Sequence, residues 1–286
     1  MMPSTLLTAR DAASSSLVEL AALEALDVIG HEVVAVSRIR DRRAALPWGD
    51  WRTPERPALA GELEALVTAR LVERFPDHAV IGADVPRPLL TRWRWLVGVT
   101  DAAAPAGDAG DLVVSIALLS GDTPWVGGLV DLASGEVIIG RRGARIDRTA
   151  ATDSGATPAP ARLFLETGHA CGGRWEASAL TRLAAAHRVA PRMVGSAPAA
   201  LLAVARGGGT VLAVGVHERD LAAGVLVAEG SGHEAVWWRD VWPLAHVLVG
   251  PPDEIGPLVI PATDVVRSWT GPRGPVAPHA ATEWTI

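Results

Sequence analysis

The sequence predicts a layered fold of the α/β (α+β) class. Two stretches of helical spacing open the chain, short apolar runs separated by glycine turns occupy its middle, and strands alternate with helices after that. Neither a sheet nor an amphipathic helix buries its apolar side alone, so this mixture implies stacked layers.

Residues 11–44 begin at Asp11, a residue suited to an N-cap, and carry Leu17, Leu20, Leu23, Leu26, Val28 and Ile29 at mostly helical spacing. A long amphipathic helix is expected there. PWGDWRTPERP (47–57) reads as a loop, and Leu59, Leu63, Leu66, Val67 and Phe75 predict a second helix closed by Pro76 and Asp77. AVIGAD (79–84) and WLVGV (95–99) read as short strands. Residues 111–148 hold three apolar stretches separated by SGD, LASGE and RRGA, the pattern of an antiparallel meander.

RTAATDSGATPAPAR (148–162) reads as a linker. RLFLETG (162–168) predicts a strand, while WEASALTRLAAAH (175–187) and SAPAALLAVARG (196–207) predict helices. TVLAVGV (210–216) predicts a strand, and DLAAGVLVAEGSG (220–232) a helix with Asp220 as its cap. The expected organisation is a half over 1–150 containing the meander, a second half over 151–259 of the same compact fold, and a Pro-rich tail over 260–286. GGG (207–209) follows a helix instead of opening one, so it reads as a helix stop and not as a phosphate cradle.

With 286 residues, 49% of them hydrophobic, the chain can bury a large core. A net charge of −6 without a basic block removes the footprint expected of nucleic-acid or anionic-membrane binding. Apolar runs stop well short of a membrane span, no secretion signal is evident, and Cys171 is the lone cysteine. A cytoplasmic location follows as the expectation. Lys, Tyr, Asn and Gln are absent, a bias expected of GC-rich bacterial coding. Chemistry therefore falls to carboxylates, His, Arg, Ser, Thr, Cys171 or the backbone.

Several segments together resemble the inositol monophosphatase family. FPDHAVIGAD (75–84) is similar to the segment ending in Gly-Glu-Glu, and RWLVGVTD (94–101) to the strand leading into Asp-Pro-x-Asp-Gly-Thr. MVGSAPAALLAVARGG (193–208) resembles the Gly-Ser-Ala-Ala helix, RDLAAGVLVAEGSG (219–232) the Trp-Asp-x-Ala-Ala-Gly motif, and HVLVGPPDEIGPLV (246–259) the closing strand and helix. The resemblance spans residues 12–259. It implies a layered αβαβα sandwich, a homodimer, and magnesium-dependent hydrolysis of phosphate monoesters on a cluster of carboxylates.

At the motif positions the sequence departs from that pattern. Ala83 and Asp84 stand for the two glutamates, Gly98 and Val99 for Asp-Pro, and Ala102 and Ala103 for Gly-Thr. Counting back from Glu64, an earlier family aspartate falls on Ala60. Asp101 and Asp220 survive, and Arg219 replaces the tryptophan. Hard cations need several oxygen ligands, so no metal or other cofactor is expected unless Asp84, Asp108 or Asp111 substitutes.

The leading expectation is a phosphatase scaffold turned to metal-independent acid/base chemistry on a small, apolar or aromatic metabolite, as in bacterial biosynthetic tailoring. Asp101, Asp220 and His217 are the catalytic candidates. Asp84, Trp48, Trp51, Ser196, Glu218 and Arg219 are the substrate-binding candidates. Two alternatives stay open: a non-catalytic pseudophosphatase serving as a binding or partner subunit, and a residual magnesium-dependent hydrolase. The Cys171–His169 pair reads as packing, and Trp237, Trp238 and Trp242 as core or interface.

Overall fold

The computed structural model describes residues 9–44, 55–82, 91–101, 112–146, 163–167, 177–187, 191–239, 243–270 and 279–280. Helices α1 (Ala9–Ala44) and α2 (Glu55–Arg74) lead into β1 (Ala79–Ile81), β2 (Trp93–Asp101), β3 (Leu112–Ser120), β4 (Thr123–Asp131) and β5 (Glu136–Arg141). These five strands form one sheet in sequence order, parallel between β1 and β2 and antiparallel thereafter. The chain continues through β6 (Leu163–Thr167), α3 (Ala177–His187), β7 (Arg192–Val194), α4 (Ala197–Ala205), β8 (Thr210–His217) and α5 (Glu218–Gly230). It ends with β9 (Glu234–Arg239), β10 (Leu244–Gly250), α6 (Pro252–Thr270) and β11 (His279–Ala280). The second sheet runs β11-β9-β10-β8-β6-β7.

Burial defines five layers. Leu26, Ile29 and Val33 of α1 and Leu63, Val67 and Leu71 of α2 pack against Trp95, Val97, Val114 and Ile116 on one face of the first sheet. The other face contributes Leu96, Val113 and Leu129 to a core shared with Leu201 of α4, Leu221 and Val225 of α5, and Val211, Ala213 and Val247 of the second sheet. Beyond that sheet, Leu183 of α3 and Leu258 and Val265 of α6 cover Leu163, Leu165, Leu212 and Leu248. The order is αβαβα, as the family resemblance implies. Both sheets are apolar on both faces, so their strands read as continuous hydrophobic runs.

Helix α5 lies between the sheets at close range. A Cβ on Gly127 of β4 would sit 2.6 Å from Ala223 Cα, so the helix backbone rests directly on the strand. Trp237 and Trp238 face opposite sides of β9 and are both core residues, exposed by 3% and 0%.

Three expectations need correction. Helix α1 starts at Ala9, so Asp11 lies inside it and is not its cap. Helix α2 starts at Glu55, within the stretch read as a loop. Residues 260–270 are not tail: α6 continues through Pro257 and Pro261 to Thr270, with Ala262, Val265 and Val266 buried, and residues 279–280 add an edge strand to β9. The prolines misled because they are ordinarily helix breakers, whereas here one apolar face holds the helix onto the second sheet. The linker expected over 148–162 lies outside the described residues. Among the described residues no helix is long and apolar enough to cross a membrane.

Candidate functional site

Strand β8 passes into α5 without a loop. His217 ends the strand in extended geometry (φ −62°, ψ 134°) and is itself the N-cap residue, making no side-chain cap bond. The Glu218 amide donates to the Pro243 carbonyl at 2.9 Å, which fixes the helix start against the segment entering β10. Asp220 is therefore not the cap. It is the third helical residue, and with Glu218 it places negative charge in the first turn, where the helix dipole favours it.

The first turn of α5 sits on the first sheet at the cross-strand pair Gly98–Ser115. Ser115 is fully buried, and its hydroxyl donates to the Arg219 carbonyl at 3.0 Å. A Cβ on Gly98 would collide with Asp220 Oδ1 and lie 3.5 Å from the Arg219 carbonyl oxygen. The carboxylate of Asp220 thus occupies the space above Gly98. Arg219 Nε lies 3.7 Å from the same Oδ1, with the two side chains only 23% and 14% exposed. A guanidinium and a carboxylate so placed offset one another's charge inside the protein.

His217 shares this corner. Burial, reinforced by the Arg219 charge, holds its imidazole below the ordinary histidine pKa. The ring is consequently neutral at pH 7 and able to accept a proton. His217, Glu218, Arg219 and Asp220 are brought together, not as a solvated loop but as a strand end and first helical turn.

Ser196 has a different place. It is 1% exposed and caps α4, its hydroxyl accepting from the Ala199 amide at 3.2 Å. Gly207 closes the same helix at φ 86°, so the glycine run is a helix stop, as its position predicts. Asp101 ends β2 opposite Leu112. Its side chain lies outside the described residues, as do Asp84, Trp48, Trp51, Asp108, Asp111, His169 and Cys171. Ala60 is partly buried against the α1–α2 core, and one turn on, the Glu64 carboxylate fills the space where a Cβ on Gly82 would lie.

Among the described residues no three His, Cys, Asp or Glu side chains converge as metal ligands. Those at this corner do not fit a divalent cation. Gly98 offers no oxygen, and the Arg219 guanidinium beside Asp220 would repel a second positive charge. Sequence reasoning missed Ser115 and Pro243. Ser115 had a signal, being the only polar residue inside the run LVVSIALL; Pro243 had none.

No protein-family model matches the chain, and no curated protein matches it by sequence. Solved structures do match. An inositol monophosphatase from Anabaena (Nostoc) superposes with TM-score 0.57 at 17% identity, covering 88% of this chain and 97% of its own. Mycobacterium tuberculosis SuhB gives 0.57 at 20%, covering 84% and 94%. The extragenic suppressor protein suhB from Bartonella henselae gives 0.58 at 16%, covering 88% and 99%. At these identities the likeness is one of fold: the chain has the inositol-monophosphatase architecture over most of its length.

Proposed function

We propose that the β8–α5 junction is a metal-independent acid/base site acting on a small, apolar or aromatic metabolite. The observation that carries this reading is the contact of Asp220 with Gly98, completed by Arg219: a built-in cation stands beside the carboxylate, and no oxygen ligand faces it from residue 98. His217, neutral at physiological pH, takes a proton from the bound substrate. Arg219 and the amides of the first turn of α5 steady the negative charge left behind. Asp220 orients that cation, and the protonated His217 returns the proton to the substrate, either directly or by passing it to Asp101 at the neighbouring strand end, the candidate relay, which then delivers it.

Calorimetric titration with Mg²⁺, run beside a panel of phosphate monoesters with and without chelator, tests the metal-independent part. The expected outcome is no saturable heat and no metal-dependent phosphate release. Tight binding with metal-dependent turnover would overturn the proposal in favour of a residual hydrolase drawing on Asp84, Asp108 or Asp111.

A second reading has its own observation. The Ser115–Arg219 bond pins this turn to the first sheet, as a purely structural or ligand-binding role would require. Metabolite profiling of the producing cell carrying His217→Gln or Asp220→Asn, each shown to fold, separates the two. Loss of a product supports acid/base chemistry, and an unchanged profile with both variants leaves a non-catalytic binding module.

A further inference from the structure

Strand β8 changes parity on its way to α5. Val211 and Ala213 face the core between the sheets, while Leu212 and Val214 face the core under α3 and α6. Strict alternation would give His217 the inter-sheet side, yet Val216 takes it instead. The switch is a β-bulge. Ala245 pairs with Val216 and Val247 with Ala213, so Val214 and Gly215 together stand opposite His246 alone. Gly215 adopts φ 65°, a left-handed conformation that glycine reaches without steric penalty. A slip of one residue turns every later side chain to the other face, so the bulge decides how His217 leaves the sheet.

The extra residue of a bulge loses its place in the ladder, and its buried amide needs another acceptor. His246 of β10 supplies one: the Gly215 amide donates to Nδ1 of its imidazole at 3.0 Å. A nitrogen that accepts from a backbone N–H carries no proton, so the neutral ring holds its hydrogen on Nε2. Such an acceptor satisfies the amide without burying a charge. His246 is fully buried, and Trp238, equally buried, lies opposite it in the β9–β10 register. Beyond the bulge, Leu244 pairs with His217, and the Pro243 carbonyl accepts from the Glu218 amide at 2.9 Å. Residues 243–246 therefore hold the chain on both sides of His217.

We infer that His246 is a positioning residue for His217: by accepting the Gly215 amide it fixes the bulge that presents His217 at the head of α5. It acts through the backbone of β8 and touches no reacting atom. Its bearing on chemistry rests on the reading of His217 as the acid/base group, whereas its hold on the placement of His217 does not. Burial and the Arg219 charge govern the proton affinity of His217. Both depend on where the bulge delivers the ring, beside Glu218, Arg219 and Asp220 in the first turn of α5.

Nitrogen-15 NMR of the full chain tests this without a substrate. Nδ1 of His246 should give the signal of an unprotonated ring nitrogen, with a scalar coupling across the hydrogen bond to the Gly215 amide. His246→Leu removes the acceptor, and Gly215→Ala strains the bulge at its positive φ. Each should move the His217 titration midpoint upward, towards that of an exposed histidine, with circular dichroism unchanged. In His246→Leu the Gly215 amide should lose roughly tenfold or more of its exchange protection relative to its strand neighbours. His246→Asn keeps an acceptor oxygen where Nδ1 stands and should restore both the protection and the wild-type midpoint. A protonated Nδ1, or no coupling to Gly215, would overturn the inference even where His246→Leu fails to fold. So would a folded His246→Leu whose His217 titrates as in the wild type, or a His246→Asn shifted as far as the leucine variant. An unchanged metabolite profile in His217→Gln would remove the acid/base reading alone, because these signals report the placement of His217 and not its chemistry.

Discussion

Gly98→Ala probes the central contact of the candidate site. The new methyl group meets Asp220 Oδ1 inside van der Waals distance and lies 3.5 Å from the Arg219 carbonyl oxygen and 3.6 Å from Arg219 Cγ. The helix has little freedom to withdraw. Ser115 holds the Arg219 carbonyl at 3.0 Å, and one turn further on Gly127 already touches Ala223. The side chain of Asp220 must therefore yield, losing its position beside Arg219. Overpacking of this kind costs about 2 kcal/mol. Urea unfolding of Gly98→Ala, Asp220→Ala, Asp220→Asn and the corresponding doubles, at one protein concentration, measures the coupling. Removing the carboxylate opens room for the methyl group, so Gly98→Ala/Asp220→Ala should be more stable than the sum of the singles by about 1–2 kcal/mol. Asparagine keeps the shape and should relieve nothing. Additivity within about 0.5 kcal/mol for the alanine pair would refute the placement of Asp220 over Gly98.

Burial pushes the Glu229 carboxyl up to about 7 against the pull of Arg142. The folded state holds its proton where the unfolded chain has lost it, so this contribution is complete below pH 4.5 and vanishes as pH rises through 7. Stability by urea unfolding should fall by roughly 2 kcal/mol between about pH 5.5 and 8, and Glu229→Gln should flatten that slope. His217 should titrate by NMR below the ordinary histidine midpoint, and Arg219→Ala should move it upward because one of the two causes of the depression is removed. Burial alone would raise the Asp131 carboxyl, but the Arg206 guanidinium and Ser134 hold it below its usual value. Its stabilising effect is present above that range and lost as pH falls. Arg206→Ala should cost about 2 kcal/mol near neutrality and shift acid unfolding to higher pH.

The elements legible in the sequence are those with local causes. The meander could be read because its turns end on glycines that adopt positive φ, at Gly121 (59°), Gly135 (78°) and Gly143 (69°). Helix α4 could be read because Ser196 caps it, Pro198 follows in the first turn and Gly207 stops it. What could not be read depends on tertiary partners. Asp220 has the composition of a cap, but the Glu218 amide is satisfied by Pro243 from a different segment, and the helix begins earlier. Which apolar residues of α1 face the core could not be read for a related reason: Leu17, Leu20, Val28 and Ile39 share the apolar pattern of the buried residues, and burial is needed to tell them apart. Helix α6 was truncated because its prolines outweighed a periodic face, Leu258, Ala262, Val265 and Val266, that the fold buries.

Gly98 and Arg219, which stand where the motifs of the resembled family have aspartate and tryptophan, are physically linked. An aspartate at 98 would bring a second carboxylate against Asp220, an arrangement that requires a cation between them. Glycine removes that requirement and clears the volume into which Asp220 settles. Arginine at 219 then places a permanent positive charge 3.7 Å from the remaining carboxylate, held by the chain itself. Arginine beside a bound divalent cation would face like charge, and glycine without arginine would leave Asp220 largely buried with no counter-charge from residue 219. With Gly98 and Arg219 together, the Asp220 carboxylate is packed between the two sheets with a cation beside it. His217 stands at the same corner, in a setting where its proton affinity is governed by burial and by Arg219.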